Sequence, residues 1–406
     1  MLSYNYLFDL ALILLSTKVL GLVTKKFSMP QVVGALLAGL ILGPAMLNIL
    51  HETDFIKQIA EIGVIVLMFT AGLETDLTEL RKTGKASFII ALLGVLVPLL
   101  GGFMIASLFN QESSPEGVIH LLQNIFIGII LTATSVSITV ETLKELRKLN
   151  TRAGNAILGA AIIDDILGII ALTIVTSCAD SSINVTVVLG KVVLFFICAI
   201  GSGIVFYKFY NHWVKMYEND MRRFVIVAFV FCLLLSFCAE EFFGVADITG
   251  AFIAGLILSN TPCVHYITSR FETISYMLLS PIFFASIGIQ VDLSGMNSQL
   301  FVFTLALVII AIVSKIIGCG LGAKVCRYSN KESLQIGVGM VSRGEVALIV
   351  ASKGAAIGLM SAAFFGPVVV MVVITTIITP ILLKLVFISK KDAGCKPHPK
   401  SKLIQS

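Results

Sequence analysis

The run AGNAILGAAIIDDILGIIALTIVTS, residues 153–177, decides the fold class because it is long and apolar and yet carries two adjacent acids at its middle. A helix of about 20 apolar residues crosses the hydrocarbon core of a bilayer, so this segment is predicted to span a membrane. Asp164 and Asp165 would then lie near mid-depth. Ionisable groups are costly there, and by default they mark an interior functional site.

The whole chain shares this apolar character. Of its 406 residues, 57% are hydrophobic and 13% are charged, and the mean hydropathy is +0.99, whereas soluble domains carry about 25% charged residues. The net charge of +5 comes from short basic clusters between apolar runs, a pattern of membrane topology that gives no reason to expect a nucleic-acid partner. The eight cysteines have no metal or disulfide spacing, and we predict neither an enzyme nor a cofactor.

The apolar runs predict an all-α integral membrane protein with thirteen transmembrane helices in one domain, residues 1–388. With the N-terminus outside and the C-terminus cytoplasmic, Lys57 is the only basic residue in an outer loop, as expected if basic flanks stay in the cytoplasm. Residues 389–406 are predicted to form a short basic cytosolic tail with no regulatory domain. The predicted spans are approximately 4–24, 30–50, 57–74, 86–108, 119–141, 153–177, 184–207, 222–241, 245–260, 272–290, 299–323, 333–356 and 361–388.

An internal repeat links the two halves of the chain. GALLAGLIL at 34–42 and GAFIAGLIL at 250–258 differ at only two positions, and TAGLETDL at 70–77 faces SIGIQVDL at 286–293 at the same offset of 216 residues. The copies are displaced by an odd number of predicted spans, so they would cross the membrane in opposite directions. Inverted-topology repeats, here about 30–177 and 245–388, are typical of secondary transporters that bind substrate between the halves.

Other polar residues fall at a similar depth. Lys315 lies in the eleventh predicted span, Arg343 and Glu345 lie in the twelfth, and the run LTATSVSIT at 131–139 brings hydroxyl groups to the fifth. These residues predict a polar site at the centre of the bilayer. For Arg343 and Glu345, an ion pair that only holds helices together is an equal alternative, and hydroxyl groups often bond to their own helix.

Adjacent carboxylates favour one kind of chemistry. Residues next to each other on a helix point about 100° apart, and two close, partly desolvated acids cannot both ionise freely. An ionised carboxylate beside hydroxyl and carbonyl oxygens suits a small cation, whereas a protonated one has lost that affinity. Cation and proton therefore compete for the same oxygens, which predicts exchange of one for the other.

With LTATSVSIT, the IIDD pair at 162–165, the Ser314-Lys315 dipeptide and SRGEVALI at 342–349, the chain resembles the cation:proton antiporter superfamily. It is most similar to the branch that includes bacterial Na⁺/H⁺ antiporters and the spore-germination exchangers. The resemblance extends to about Phe387. It implies a homodimer in a bacterial plasma (inner) membrane, in which a six-helix core domain moves against a dimerisation domain, and broken fifth and twelfth helices that cross.

The resemblance also implies roles for individual residues. Asp165 matches the principal ion-binding carboxylate, and Asp164 matches a second acid that pairs with the lysine at Lys315. Thr134, with Ser135 beside it, matches the broken-helix hydroxyl near the ion. The transported monovalent cation, Na⁺ or Li⁺, would be held by Asp165, Asp164 and Thr134, and two protons would move per cation.

Arg343 and Glu345 would lie at the second break and compensate charge. A K⁺/H⁺ exchanger stays open, because cavity size and carbonyl placement select between Na⁺ and K⁺. So does a symporter of an organic anion, in which Arg343 would pair with a carboxylate, although two acids would repel it. An ion-binding sensor that transports nothing is a further alternative, which no residue favours.

Overall fold

The computed structural model describes residues 5–26, 31–75, 77–110, 117–179, 185–216, 221–290, 298–356, 358–360 and 362–387. Within these ranges the fold is all helical and contains no strand. The predicted cytosolic tail, 389–406, lies outside the described residues.

The helices follow the apolar runs of the sequence. A π-helical turn at Ser275–Leu279 joins two of them, and a 3₁₀ turn at Ala362–Phe364 precedes the last. In chain order the helices are α1 (Asn5–Lys26), α2 (Gln31–Leu42), α3 (Asp54–Glu74), α4 (Leu77–Phe109), α5 (Gly117–Thr132), α6 (Val136–Glu145), α7 (Arg152–Ala179), α8 (Val185–Met216), α9 (Met221–Phe243), α10 (Asp247–Leu258), α11 (Val264–Ile274), α12 (Ser280–Ile289), α13 (Ser298–Val325), α14 (Asn330–Gly339), α15 (Glu345–Ala356) and α16 (Phe365–Phe387).

Ten helical stretches in the described ranges are long and apolar enough to cross a membrane. Two apolar helices, α2 and α10, are shorter, and residues 330–356 form an interrupted pair. Every predicted span therefore contains helix, and the number of crossings stays a prediction. The second span was predicted too long, because α2 ends at Leu42, just before Gly43 and Pro44, and a residue that precedes proline is disfavoured in the helical conformation.

Large apolar side chains cover much of the outer surface. Ile197, Val205 and Phe209 on α8 are each more than half exposed, as are Leu15 and Leu22 on α1. Contiguous apolar surface on this scale is unstable in water and suits lipid. The exposed surface therefore agrees with the apolar composition and with an integral membrane protein.

Two close helix crossings repeat the same contact. Gly39 in α2 lies against the backbone of Ala285 in α12, and Gly255 in α10 lies against the backbone of Phe69 in α3. Gly255 follows Gly39 by 216 residues, and Ala285 follows Phe69 by the same 216, which is the offset of the internal repeat. Each crossing thus joins one copy to the other, as a pair of symmetry-related halves would require.

We expect Gly255→Ala to lower the thermal unfolding temperature of the detergent-purified protein. A Cβ at this position would overlap the carbonyl oxygen of Phe69, so α10 and α3 must separate, and overpacking of this kind typically costs about 1–3 kcal/mol. Gly168→Ala is the matched control, because a Cβ there has no atom within 4 Å and alanine favours the helix. Equal melting temperatures for the two variants would contradict the close approach.

Candidate functional site

Two interrupted helices meet inside the molecule. The backbone between α5 and α6, residues 133–135, is not helical, and neither is the backbone between α14 and α15, residues 340–344. The Ser135 N–H donates to the Ser342 carbonyl at 2.8 Å, and the Ser342 hydroxyl donates to the Ser135 carbonyl at 2.8 Å. This reciprocal pair holds the two breaks together, and both serines are buried.

The hydroxyl band at 131–139 divides into bonded and unbonded members. Thr132 donates to a carbonyl of its own helix, and Thr139 donates to the Gly339 carbonyl at 2.8 Å, at the end of α14. The Ser135 hydroxyl lies 3.2 Å from that of Ser137. Thr134 differs, because its buried hydroxyl lies near the Asp164 carboxylate without making a well-formed hydrogen bond to any described residue. The Thr139 hydroxyl thus joins the two breaks, and the Thr134 hydroxyl lies beside Asp164.

Asp164 and Lys315 form a buried ion pair. The Lys315 ammonium donates to Asp164 Oδ1 at 2.8 Å, with side chains 0% and 1% exposed. The second carboxylate oxygen, Oδ2, is buried and has no hydrogen-bond partner among the described residues, and the Thr134 hydroxyl lies within hydrogen-bonding reach of the carboxylate. The pairing that the resemblance implied is therefore present, and one oxygen of Asp164 stays available beside Thr134.

Asp165 follows Asp164 on α7 and is half-buried. It points about 100° away from Asp164 around the helix axis, so the two acids occupy different surroundings. Asp164 is enclosed and compensated by Lys315, whereas Asp165 is the more accessible of the two.

Arg343 is fully buried at the second break. Its Nη1 donates to the carbonyls of Val341, at 2.7 Å, and of Met340, at 3.3 Å, and its Nη2 donates to the Ala311 carbonyl at 3.2 Å. These contacts satisfy carbonyls left free where α14 ends, and the cation offsets the partial negative charge of that helix end. Ala311 lies one turn before Lys315, so Arg343 also ties the break to the helix that supplies the lysine.

An ion pair between Arg343 and Glu345 stays an alternative, because the Glu345 side chain lies outside the described residues. Continuous-helix geometry would have separated the two side chains, and the break at 340–344 removes that constraint.

The donor set suits a monovalent cation. The donor set consists of oxygen atoms from Asp164, Thr134 and the neighbouring Asp165. These are hard ligands, and together they carry little charge. In the described part of the chain, no group of three or more His, Cys, Asp or Glu residues could hold a metal ion. Two acids against Lys315 and Arg343 leave the local charge balanced, so a bound cation must displace either a proton or one of these partners.

At its C-terminal end, α6 is joined to two neighbouring helices. Lys144 forms an ion pair with Glu74 of α3 at 3.1 Å. The Glu145 carboxylate accepts from the Gln31 N–H at 2.9 Å and so caps α2, which follows Pro30. Sequence reasoning missed both contacts. The one signal in the sequence was Pro30 before Gln31, because proline has no capping side chain, and that signal does not identify Glu145.

Comparisons with known proteins agree with this arrangement. Residues 11–388 match the family described as the sodium/hydrogen exchanger, transmembrane. The chain is 38% identical over 395 residues to the Na(+)/H(+)-K(+) antiporter GerN of Bacillus cereus, covering 96% of this chain and 98% of GerN. It is 40% identical over 388 residues to the probable Na(+)/H(+) antiporter GerT of Bacillus cereus, covering 94% and 100%.

A solved structure shares the fold. The sodium proton antiporter MjNhaP1 from Methanocaldococcus jannaschii matches with a TM-score of 0.68 and 21% identity, covering 93% of this chain and 95% of that chain. At that identity the likeness establishes the helical architecture alone.

Proposed function

The chain belongs to the sodium/hydrogen exchanger family, and from that premise we propose that it exchanges Na⁺, or Li⁺, for H⁺ across a bacterial plasma membrane by alternating access. One observation carries the proposal: a buried Asp164–Lys315 pair lies beside two broken helices, with unpartnered oxygens on Asp164 and Thr134. Such oxygens bind a small cation when the acids are ionised and lose it when they are protonated.

Asp165 is the principal ion-binding carboxylate in this proposal. Asp164 is occupied by Lys315 in the structure, whereas Asp165 is more accessible on the same turn of α7. Arrival of a cation weakens the hold of Asp164 on Lys315, because the cation competes for the same carboxylate charge. As the resemblance implies, the site would release two protons for each cation bound, which makes the cycle electrogenic.

Charge balance explains why the site would cross the membrane only when occupied. Ionised carboxylates without a bound cation are costly at membrane depth. Either a cation or protons remove that cost. The two occupied forms are therefore the ones that move, and each excludes the other.

K⁺ is a second candidate cation. The observation that favours it is the 38% identity with GerN, whose name includes K(+). Na⁺ and K⁺ differ in size, and the oxygens that select between them are those of Thr134, the two acids and the carbonyls of the breaks.

Arg343 argues against the organic-anion alternative. Its guanidinium already donates to the carbonyls at the end of α14 and to Ala311. An anion would have to displace these bonds and lie beside two carboxylates, which costs electrostatic energy.

The proposed architecture has thirteen crossings, with the N-terminus outside and the C-terminus cytoplasmic. Inverted repeats over about 30–177 and 245–388 are supported by the paired crossings at Gly39 and Gly255. We propose a homodimer in which the domain carrying α6 and α7 moves against a dimerisation domain, as the resemblance implies.

The decisive test is cation-driven proton movement in liposomes that contain the purified protein, a proton pump and a pH-sensitive dye. NaCl, LiCl, KCl and choline chloride are added in turn. We expect Na⁺ and Li⁺ to dissipate the proton gradient and choline to leave it intact. A response to K⁺ alone would reassign the cargo, and a gradient unchanged by every salt would contradict exchange.

A further inference from the structure

Gly94 on α4 lies beside the buried ion pair. A Cβ built on it would lie 3.6 Å from the Lys315 ammonium, 3.8 Å from Asp164 Oδ1 and 2.5 Å from the Cys319 thiol. Three helices, α4, α7 and α13, therefore meet at this position. Asp164, Lys315 and Cys319 are all buried, so Gly94 forms part of a closed wall around the pair.

Backbone packing does not explain this glycine. Two other glycines at the α4–α13 crossing, Gly318 and Gly322, are opposed by main-chain atoms, the Leu93 carbonyl and the Ile90 Cα. For Gly94 the three nearest atoms are all the ends of polar side chains. The absence of a side chain at position 94 therefore leaves room for the thiol, the ammonium and the carboxylate. It is not required by a close approach of two helix backbones.

The exchange cycle needs space at this point. Protein interiors are close-packed, so the Lys315 ammonium can leave Asp164 only where the surrounding wall allows it. Gly94 on α4 and Cys319 on α13 both border the ammonium at this point. A methyl group at 94 would narrow the space, whereas removing the Cys319 thiol would widen it.

We propose that Gly94 is a positioning residue, which together with Cys319 sets how far the Lys315 ammonium can separate from Asp164 and thereby sets the cation affinity of the exchanger. This inference rests on the proposed function. The charged and titratable groups that act on the pair are Asp165 on the adjacent residue of α7, Cys319 one turn along α13 and Arg343 at the second break. Substitution of Gly94 changes none of these groups chemically, and the Cys319 thiol is the one that must move to accommodate a Cβ.

The space around the Lys315 ammonium determines the expected direction of the change in KM. In Gly94→Ala the new Cβ would overlap the Cys319 thiol and contact the ammonium, which reduces the space into which the ammonium can withdraw from Asp164. We therefore expect the KM for Na⁺ to rise about tenfold with little change in kcat. The pH of half-maximal activity should move to a more alkaline value, because protons and cations compete for the same carboxylates and a site with weaker cation binding needs a lower proton concentration. Cys319→Ala should shift KM and the pH profile in the opposite direction, and Gly94→Ala/Cys319→Ala should return both towards wild type.

Gly101→Ala is the matched control. Gly101 lies two turns along α4, and a Cβ there would lie 2.9 Å from Cγ1 of Ile310, with no charged group among its nearest atoms. It tests crowding at the same helix pair without touching the ion pair. We expect it to lower thermal stability and to leave the KM and the pH profile unchanged.

The experiment is the liposome assay over a range of Na⁺ concentrations and pH, with Na⁺-dependent thermal stabilisation of each purified variant as a second readout. Wild-type protein without exchange would overturn the proposed function. Active wild-type protein, with Gly94→Ala and Cys319→Ala showing the KM and pH profile of Gly101→Ala, would overturn this inference alone. If Gly94→Ala does not fold, Cys319→Ala alone tests the inference: a lower KM for Na⁺ than that of the wild type supports it, and an unchanged KM contradicts it.

Discussion

Protein carrying Asp165→Asn is expected to fold normally and to lose cation-driven proton movement. The substitution keeps the shape of the side chain and removes its charge and its proton. At a separation of about 4 Å and an effective dielectric constant of about 20, two unit charges interact by about 4 kcal/mol, which corresponds to about a thousandfold in cation affinity. The measurement is dye dequenching by NaCl and LiCl in liposomes that contain the variant.

Glu240→Gln provides the control for this loss. Glu240 is an exposed acid near the end of α9, so the same change of chemistry is made on an outer surface. It should leave exchange intact. Full activity in Asp165→Asn, at wild-type protein density in the liposomes, would remove this residue from the proposed site.

The second large effect is expected on stability. Asp164→Asn leaves the Lys315 ammonium buried without its counter-ion, and breaking a buried pair from one side typically costs about 3–5 kcal/mol. Lys315→Met leaves the carboxylate in the same position. Each single variant should therefore unfold at a clearly lower temperature than the wild type, measured on purified protein in detergent.

The double variant Asp164→Asn/Lys315→Met separates structure from transport. With both charges removed, the desolvation cost disappears, and neutral replacements of buried pairs are often as stable as the original. We expect the melting temperature to recover and normal exchange not to return. Recovery of both would mean that the pair only holds α7 to α13. Failure of the melting temperature to recover would indicate that the two residues do not act as a pair.

The broad features of the site were predictable because they depend on position along the chain. The depth of Asp164 within its span and the low charge of the surrounding run require only the length of a helix and the thickness of a bilayer. The internal repeat could be recognised by comparing GALLAGLIL with GAFIAGLIL. The pairing of Asp164 with Lys315 was implied by the family resemblance, and the structure contains that ion pair.

The missed features depend on how helices are rotated about their axes. The contact of Gly94 with Lys315 and Cys319 joins residues more than 200 positions apart, and no local pattern marks it. Glu145 capping α2 is similar, since the cap comes from another helix. Arg343 was expected to compensate charge, but its carbonyl partners at 340–342 exist only because the helix is interrupted there.

The bonds between Ser135 and Ser342 also constrain the order in which the protein can assemble. The two serines are separated by 207 residues, and a ribosome adding about 5–20 residues per second reaches the second one roughly 10–40 s after the first. During that interval the first break holds an amide and a carbonyl that lipid cannot satisfy. These two groups therefore need another hydrogen-bond partner, such as water or a neighbouring chain, until the second break has been inserted.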